Sequence, residues 1–154
     1  MPKQFQNEWT EILGQVGTLA LIAANDANGD PHATVTDNLH LDAEGRLVYL
    51  EYLESSQINK NLVRSLWFKK KISISILTHG TARYQLKGIP THAIISGSVF
   101  ESYYRSVSEK TTDTDLSTVW LIDVLEVSDE RWESRKKDQD ENHGIVAHLD
   151  RFAL

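Results

Sequence analysis

Three short runs of strand character follow one another between Thr18 and Leu53, separated only by turn-forming residues, and this succession constrains the chain more than any other feature. Thr18-Leu-Ala-Leu-Ile-Ala-Ala24 is a continuous apolar run. It stops at Asn25-Asp26-Ala27-Asn28-Gly29-Asp30, where Asn and Gly tolerate the positive φ of hairpin turns. The second run, Pro31 to Leu41, ends at Asp42-Ala43-Glu44-Gly45, and the third is Arg46-Leu-Val-Tyr-Leu-Glu-Tyr-Leu53. Runs joined so tightly pair antiparallel, because a parallel pair needs a crossover of about a dozen residues or more.

The flanking segments extend this pattern. Trp9, Ile12, Leu13 and Val16 recur at helical spacing behind Asn7 as a cap, with Gly17 marking the end of that helix. Ser55 or Ser56 caps a second helix with Ile58, Leu62 and Leu66 on one face, running to Trp67-Phe68. Ile72, Ile74 and Ile76 alternate with Ser73, Ser75 and Leu77, the period of a half-buried strand. From Thr78 to Pro90 a hairpin insert with Arg83 to Lys87 as one arm is expected. A strand from His92 to Phe100 follows, with Gly97 as a bulge, and then a short helix from Tyr103 to Glu109. The last strand is Thr118 to Val127. The order α, βββ, α, ββ, β predicts a mainly β fold with a few helices.

At 154 residues the chain fits one core, dividing into a body over 1–128 and an extension over 129–154. The extension is charged to Asn142, with a helix expected over Glu130 to Lys137. It closes on Ile145, Val146, Leu149, Phe152 and Leu154, an apolar ending expected to dock on the body or on a partner subunit. No stretch approaches the roughly 20 apolar residues that span a bilayer, and the start lacks an apolar signal region. A cytoplasmic protein without membrane partners is the expectation. The net charge of −6 argues against a nucleic-acid partner, and Lys69-Lys70-Lys71 reads as solvated surface. With no cysteine, disulfides, thiolate catalysis, iron–sulfur clusters and Cys-type zinc sites are excluded.

Gly29-Asp30-Pro31-His32, Glu44-Gly45-Arg46-Leu47-Val48-Tyr49 and Ser55-Ser56-Gln57-Ile58-Asn59-Lys60-Asn61-Leu62 together carry a text. It resembles the pyridoxamine 5'-phosphate oxidase-like superfamily of FMN-binding split barrels, from about Trp9 to Val127. The resemblance implies a six-stranded antiparallel Greek-key split barrel, forming a homodimer with FMN in a groove where the subunits meet, and oxidoreductase chemistry on a small-molecule ligand. It places the FMN phosphate at Ser55, Ser56 and Gln57, where free N–H groups and the helix dipole favour an anion, with Lys60 and Asn61 nearby. The flavin ring lies along Thr34, Val35, Thr36, Asp37 and Asn38, with Tyr49 beside it. Many members carry Lys or Arg, then Thr or Ser, where Gln57 and Ile58 stand here. The phosphate therefore lacks a fixed cation, Glu51 and Glu54 oppose a dianion, and FMN binding is expected to be weak or absent. Asp37 would disfavour a reduced anionic flavin.

Other chemistries leave thinner traces. No two of the six histidines stand at the i, i+4 spacing of a zinc-binding His-Glu-x-x-His helix. Neither a Gly-x-Ser-x-Gly elbow nor a phosphate loop ending in Gly-Lys-Ser/Thr occurs. No residue stands out as a catalytic acid or base. Trp67, Trp120 and Trp132 could stack on a ring or fill core and interface. Two alternatives share the fold: a split barrel without flavin that serves as a ligand-binding module, and a haem-binding or haem-degrading relative using His143 or His148.

Overall fold

In a computed structural model that describes residues 3–78, 82–110 and 114–143, the chain forms a single antiparallel sheet and four α-helices. The helices are α1 (Lys3–Leu13), α2 (Gln57–Phe68), α3 (Ser98–Lys110) and α4 (Trp132–Asp138), the last continued by a π-helical turn over Gln139–His143. The strands are β1 (Leu19–Asn25), β2 (Pro31–Thr36), β3 (Leu39–Leu41), β4 (Leu47–Glu51), β5 (Ile72–Leu77), β6 (Arg83–Ile94) and β7 (Thr118–Asp129). They lie in the order β2-β1-β5-β6-β7-β4-β3.

That order dictates the shape. The edge strands β2 and β3 are neighbours in sequence, separated only by Asp37 and Asn38, so the two edges lie no more than about 11 Å apart at about 3.6 Å per residue. The sheet has to curl on itself, leaving a seam where β2 gives way to β3. A six-strand expectation thus becomes seven strands, because the run from Pro31 to Leu41 breaks at Asn38. The Asn38 N–H donates to Thr36 Oγ1 (3.0 Å), while its carbonyl accepts from Leu50 N–H (3.1 Å). The chain thereby exchanges one partner, β1, for another, β4.

The β1–β2 and β3–β4 hairpins use one device. Asp26 Oδ1 accepts from the N–H groups of Asn28 (2.8 Å) and Asp30 (2.9 Å), and Asp42 Oδ1 does the same for Glu44 (3.0 Å) and Arg46 (2.8 Å). Gly29 and Gly45 sit at φ 81° and 79°, in the left-handed region where glycine meets no steric penalty.

The sequence expectations need correction at three places. Asn7 is inside α1, which starts at Lys3, and so is not its cap. The expected insert and separate strand are instead one continuous strand, β6, bulged between Lys87 and Gly88 and between Pro90 and His92. Gly97 (φ 95°) lies ahead of α3, with its carbonyl accepting from Glu101 N–H (3.0 Å), and Phe100 is helical. The apolar ending beyond His143, and His148 with it, falls outside the described residues.

One core fills the curl, with Ile22, Leu47, Leu62, Ile74, Leu86 and Trp120 among its largest side chains. Burying an aliphatic side chain of this size contributes about 1.5–3 kcal/mol. A smaller cluster, Val48, Leu116, Val119 and Leu121, fills the opposite face of β4 and β7 and is joined by Tyr103 of α3. Strand alternation therefore sends Tyr49 and Glu51 inward beneath α2, and Leu50 to the other cluster.

Candidate functional site: the seam beneath α2

The start of α2 is built by serine. Ser56 is extended (φ −63°, ψ 147°), and its Oγ accepts from Asn59 N–H at 3.0 Å. Among the described residues, the N–H groups of Gln57 and Ile58 have no hydrogen-bond acceptor. They are the orphan donors that every helix start leaves, at the positive end of its dipole.

Below this end lies a buried polar network. Glu51, only 5% exposed, accepts from Tyr49 Oη–H (2.7 Å) and from Leu53 N–H (3.0 Å). Burial, and then the bond to Glu51, pushes the Tyr49 phenol well above its ordinary value, so it remains a donor. Asn59 joins two elements: its Nδ2–H donates to the Glu54 carbonyl (3.0 Å), and its Oδ1 accepts from Trp120 Nε1–H (2.9 Å). Trp120 is thus a core residue, with its one polar atom satisfied. Asn61, 2% exposed, donates to the Ala24 carbonyl (3.2 Å) and accepts from Gln57 Nε2–H (2.8 Å), tying α2 to β1.

The residues predicted along the second strand alternate about the sheet. Thr34 and Thr36 are half-buried on the side of β1's core residues Ile22 and Ala20, opposite which they pair, while Val35 and Asp37 are exposed. Asn38 is half-buried and its Oδ1 accepts from Tyr52 Oη–H at 3.1 Å. Burial, followed by the charge of Asp37, raises the Tyr52 phenol. Ser55 is exposed, Ser56 is spent on the cap, and Gln57, Lys60 and Asn61 line a cleft of about 530 Å3 that opens towards the β1–β2 turn.

Tyr52 and Asn59 were not among the sequence candidates. A polar residue beside Ile58 in the apolar stripe of α2 was the available signal for Asn59; the Tyr52–Asn38 bond spans two elements and left none. Of the candidate haem ligands, His143 is exposed, with Nε2 3.8 Å from Asp138 Oδ2. Among the described residues no group of three or more His, Asp or Glu side chains is placed to hold a metal ion. No described helix is long and apolar enough to cross a membrane.

A curled antiparallel sheet, with its seam between consecutive edge strands and α2 packed on β1, β2 and β6, defines the class: a split β-barrel. Solved structures place it further. HupZ from Group A Streptococcus is 18% identical over 81% of this chain and 93% of that chain, with a TM-score of 0.67. An FMN-binding protein from Syntrophomonas wolfei is 10% identical over 82% and 86% of the two chains, with a TM-score of 0.64. A provisionally named pyridoxamine 5'-phosphate oxidase from Lactobacillus delbrueckii is 17% identical over 79% and 92%, with a TM-score of 0.57. The chain has the fold of the FMN-binding and pyridoxamine 5'-phosphate oxidase-like split barrels. No protein-family model and no curated protein matches the sequence.

Proposed function

We propose that this chain is an FMN-binding flavoprotein of the pyridoxamine 5'-phosphate oxidase-related group, an oxidoreductase that works as a homodimer with flavin at the subunit seam. The observation that carries the reading is a split barrel in which α2, with an open start, packs on β1 and β2, while the Asn38–Tyr52 pair ties the end of β4 to the seam. The donor set suits a phosphate without a fixed cation: two free N–H groups, at Gln57 and Ile58, and the exposed ammonium of Lys60 one turn on. The Gln57 side chain is turned to Asn61, and Glu51 and Glu54 stand close in sequence before the helix. Binding is accordingly weaker than where Lys or Arg stands at this position.

When bound, FMN supplies hydride and electron transfer, and the protein supplies position and electrostatics. Thr34 and Thr36, half-buried on β2, would line the ring, with Thr36 Oγ1 already accepting from Asn38 N–H. Among the described residues β2 pairs only with β1, so the amides of its other edge are free for the carbonyl edge of a flavin. Asp37, exposed at the seam, disfavours negative charge there. Asn61 and Asn59 hold α2 against β1 and β7 and so set where the phosphate donors point. The dimer is supported by an apolar outer face: Val35 (64% exposed) pairs with Leu21, and Leu19 with Leu77, across β2, β1 and β5.

Titrating FMN into the purified protein is expected to give saturable quenching of flavin fluorescence and a rise in melting temperature, with light scattering reporting a dimer. Absence of both quenching and a thermal shift would sink the flavin reading, and a strict monomer would sink the shared groove.

A further inference from the structure

The stretch from Ser55 to Phe100 contains seven Lys and Arg and no Asp or Glu, in a chain whose net charge is −6. Five of those cations lie between Lys60 and Lys71. Among the described residues only Lys71 of the five meets a carboxylate, Glu126 at 3.5 Å. Lys60, Arg64, Lys69 and Lys70 have none within ion-pair distance among the described residues. The outer row of α2 sets Lys60 and Arg64 beside two unusually bare rings, Trp67 at 77% and Phe68 at 60% exposure. The Arg64 guanidinium lies over the Phe68 ring, 5.0 Å from its centroid, which leaves the Trp67 face free.

These side chains border two adjoining hollows against the β1–β2 turn. One, about 530 Å3, runs from Gln57 to Phe68; the other, about 300 Å3, is lined by Lys70 and Lys71; Arg64 and Asp26 belong to both. Asp26 opposes an anion, but its Oδ1 already accepts from the Asn28 and Asp30 N–H groups of its own turn. The larger hollow is within the usual range for small-ligand sites.

We propose that this cleft binds a nucleoside diphosphate moiety, with the phosphates against Lys60 and Arg64 and the base stacked on Trp67. Its polarity follows from the helix: the dipole favours phosphate towards Gln57, while the ring lies at the far end, about 15 Å away at about 1.5 Å per residue. Stacking on an indole accepts any base, and the unpaired cations answer the phosphates. Because the cleft shares Gln57 and Lys60 with the proposed FMN phosphate site, the moiety has two sources: the outer half of a flavin dinucleotide, which rests on the flavin reading, or a free nucleotide, which does not.

Calorimetric titration of the full chain with ADP, FAD and FMN in separate arms tests this. ADP is expected to bind one to one, and Trp67→Ala and Arg64→Gln to weaken it roughly tenfold each, in line with the value of a stacked base. Trp132→Ala, which removes an exposed ring outside the cleft, leaves ADP binding unchanged. If FAD exceeds FMN in affinity and Trp67→Ala abolishes that advantage, the dinucleotide is the source. If FAD and FMN bind alike, or neither binds while ADP does, a free nucleotide is the source, and in the latter case the flavin reading alone falls. Absence of ADP binding, or ADP binding that Trp67→Ala leaves unchanged in a variant with native circular dichroism, overturns the proposal.

Discussion

Glu51 meets no Lys or Arg side chain among the described residues although it is buried, and its two hydrogen bonds, from Tyr49 and Leu53, stand in for one. The Tyr49–Glu51 proximity follows from strand period, since residues two apart share a face. Which polar groups above them were satisfied did not follow, because Asn59 reaches Trp120 across 61 positions. At the same scale, His40 Nε2 lies 3.0 Å from the Tyr103 hydroxyl and joins β3 to α3. Its pKa is lowered from 6.5, chiefly by burial; Asp42 opposes the shift and Lys110 adds to it. Protonation is then easier in the unfolded chain, so the stability His40 contributes is present above about pH 6.5 and is lost as pH falls through the window below it. We expect the fall in melting temperature between about pH 7.5 and 5.5 to be smaller in His40→Gln than in the parent, by differential scanning calorimetry. Equal falls would remove His40 from the account.

At the scale of elements, β6 shows where local sequence misleads. Gly88-Ile89-Pro90 carries the residues of a chain break, yet β6 continues through them because the bulges let β7 stay paired on either side. Gly88 is required for that approach: a Cβ there would stand 2.6 Å from the Asp123 carbonyl oxygen. Gly88→Ala is therefore expected to cost about 1–3 kcal/mol, read as a lower urea midpoint with unchanged slope. An unaltered midpoint would mean that β6 and β7 separate there at little cost. The β1–β2 and β3–β4 hairpins, by contrast, were legible, since Asn-Gly and Glu-Gly at those turns state their own geometry. The division of the second run into β2 and β3 was not, because the exchange of partners at Asn38 depends on Leu50, twelve residues on.

For the whole molecule, element order was readable and closure was not: only the pairing of β7 with both β6 and β4 brings the two ends of the sheet round to the seam. α2 packs against β1 and β2, and the proposed flavin site depends on whether the start of that helix holds a phosphate. The most direct measurement is the FMN dissociation constant of Gln57→Lys beside that of the parent, at one ionic strength. Supplying the missing fixed cation adds a charge-assisted hydrogen bond where the Gln57 side chain is turned to Asn61, so the variant is predicted to bind FMN roughly tenfold more tightly. Unchanged affinity would contradict the placement of the phosphate at α2.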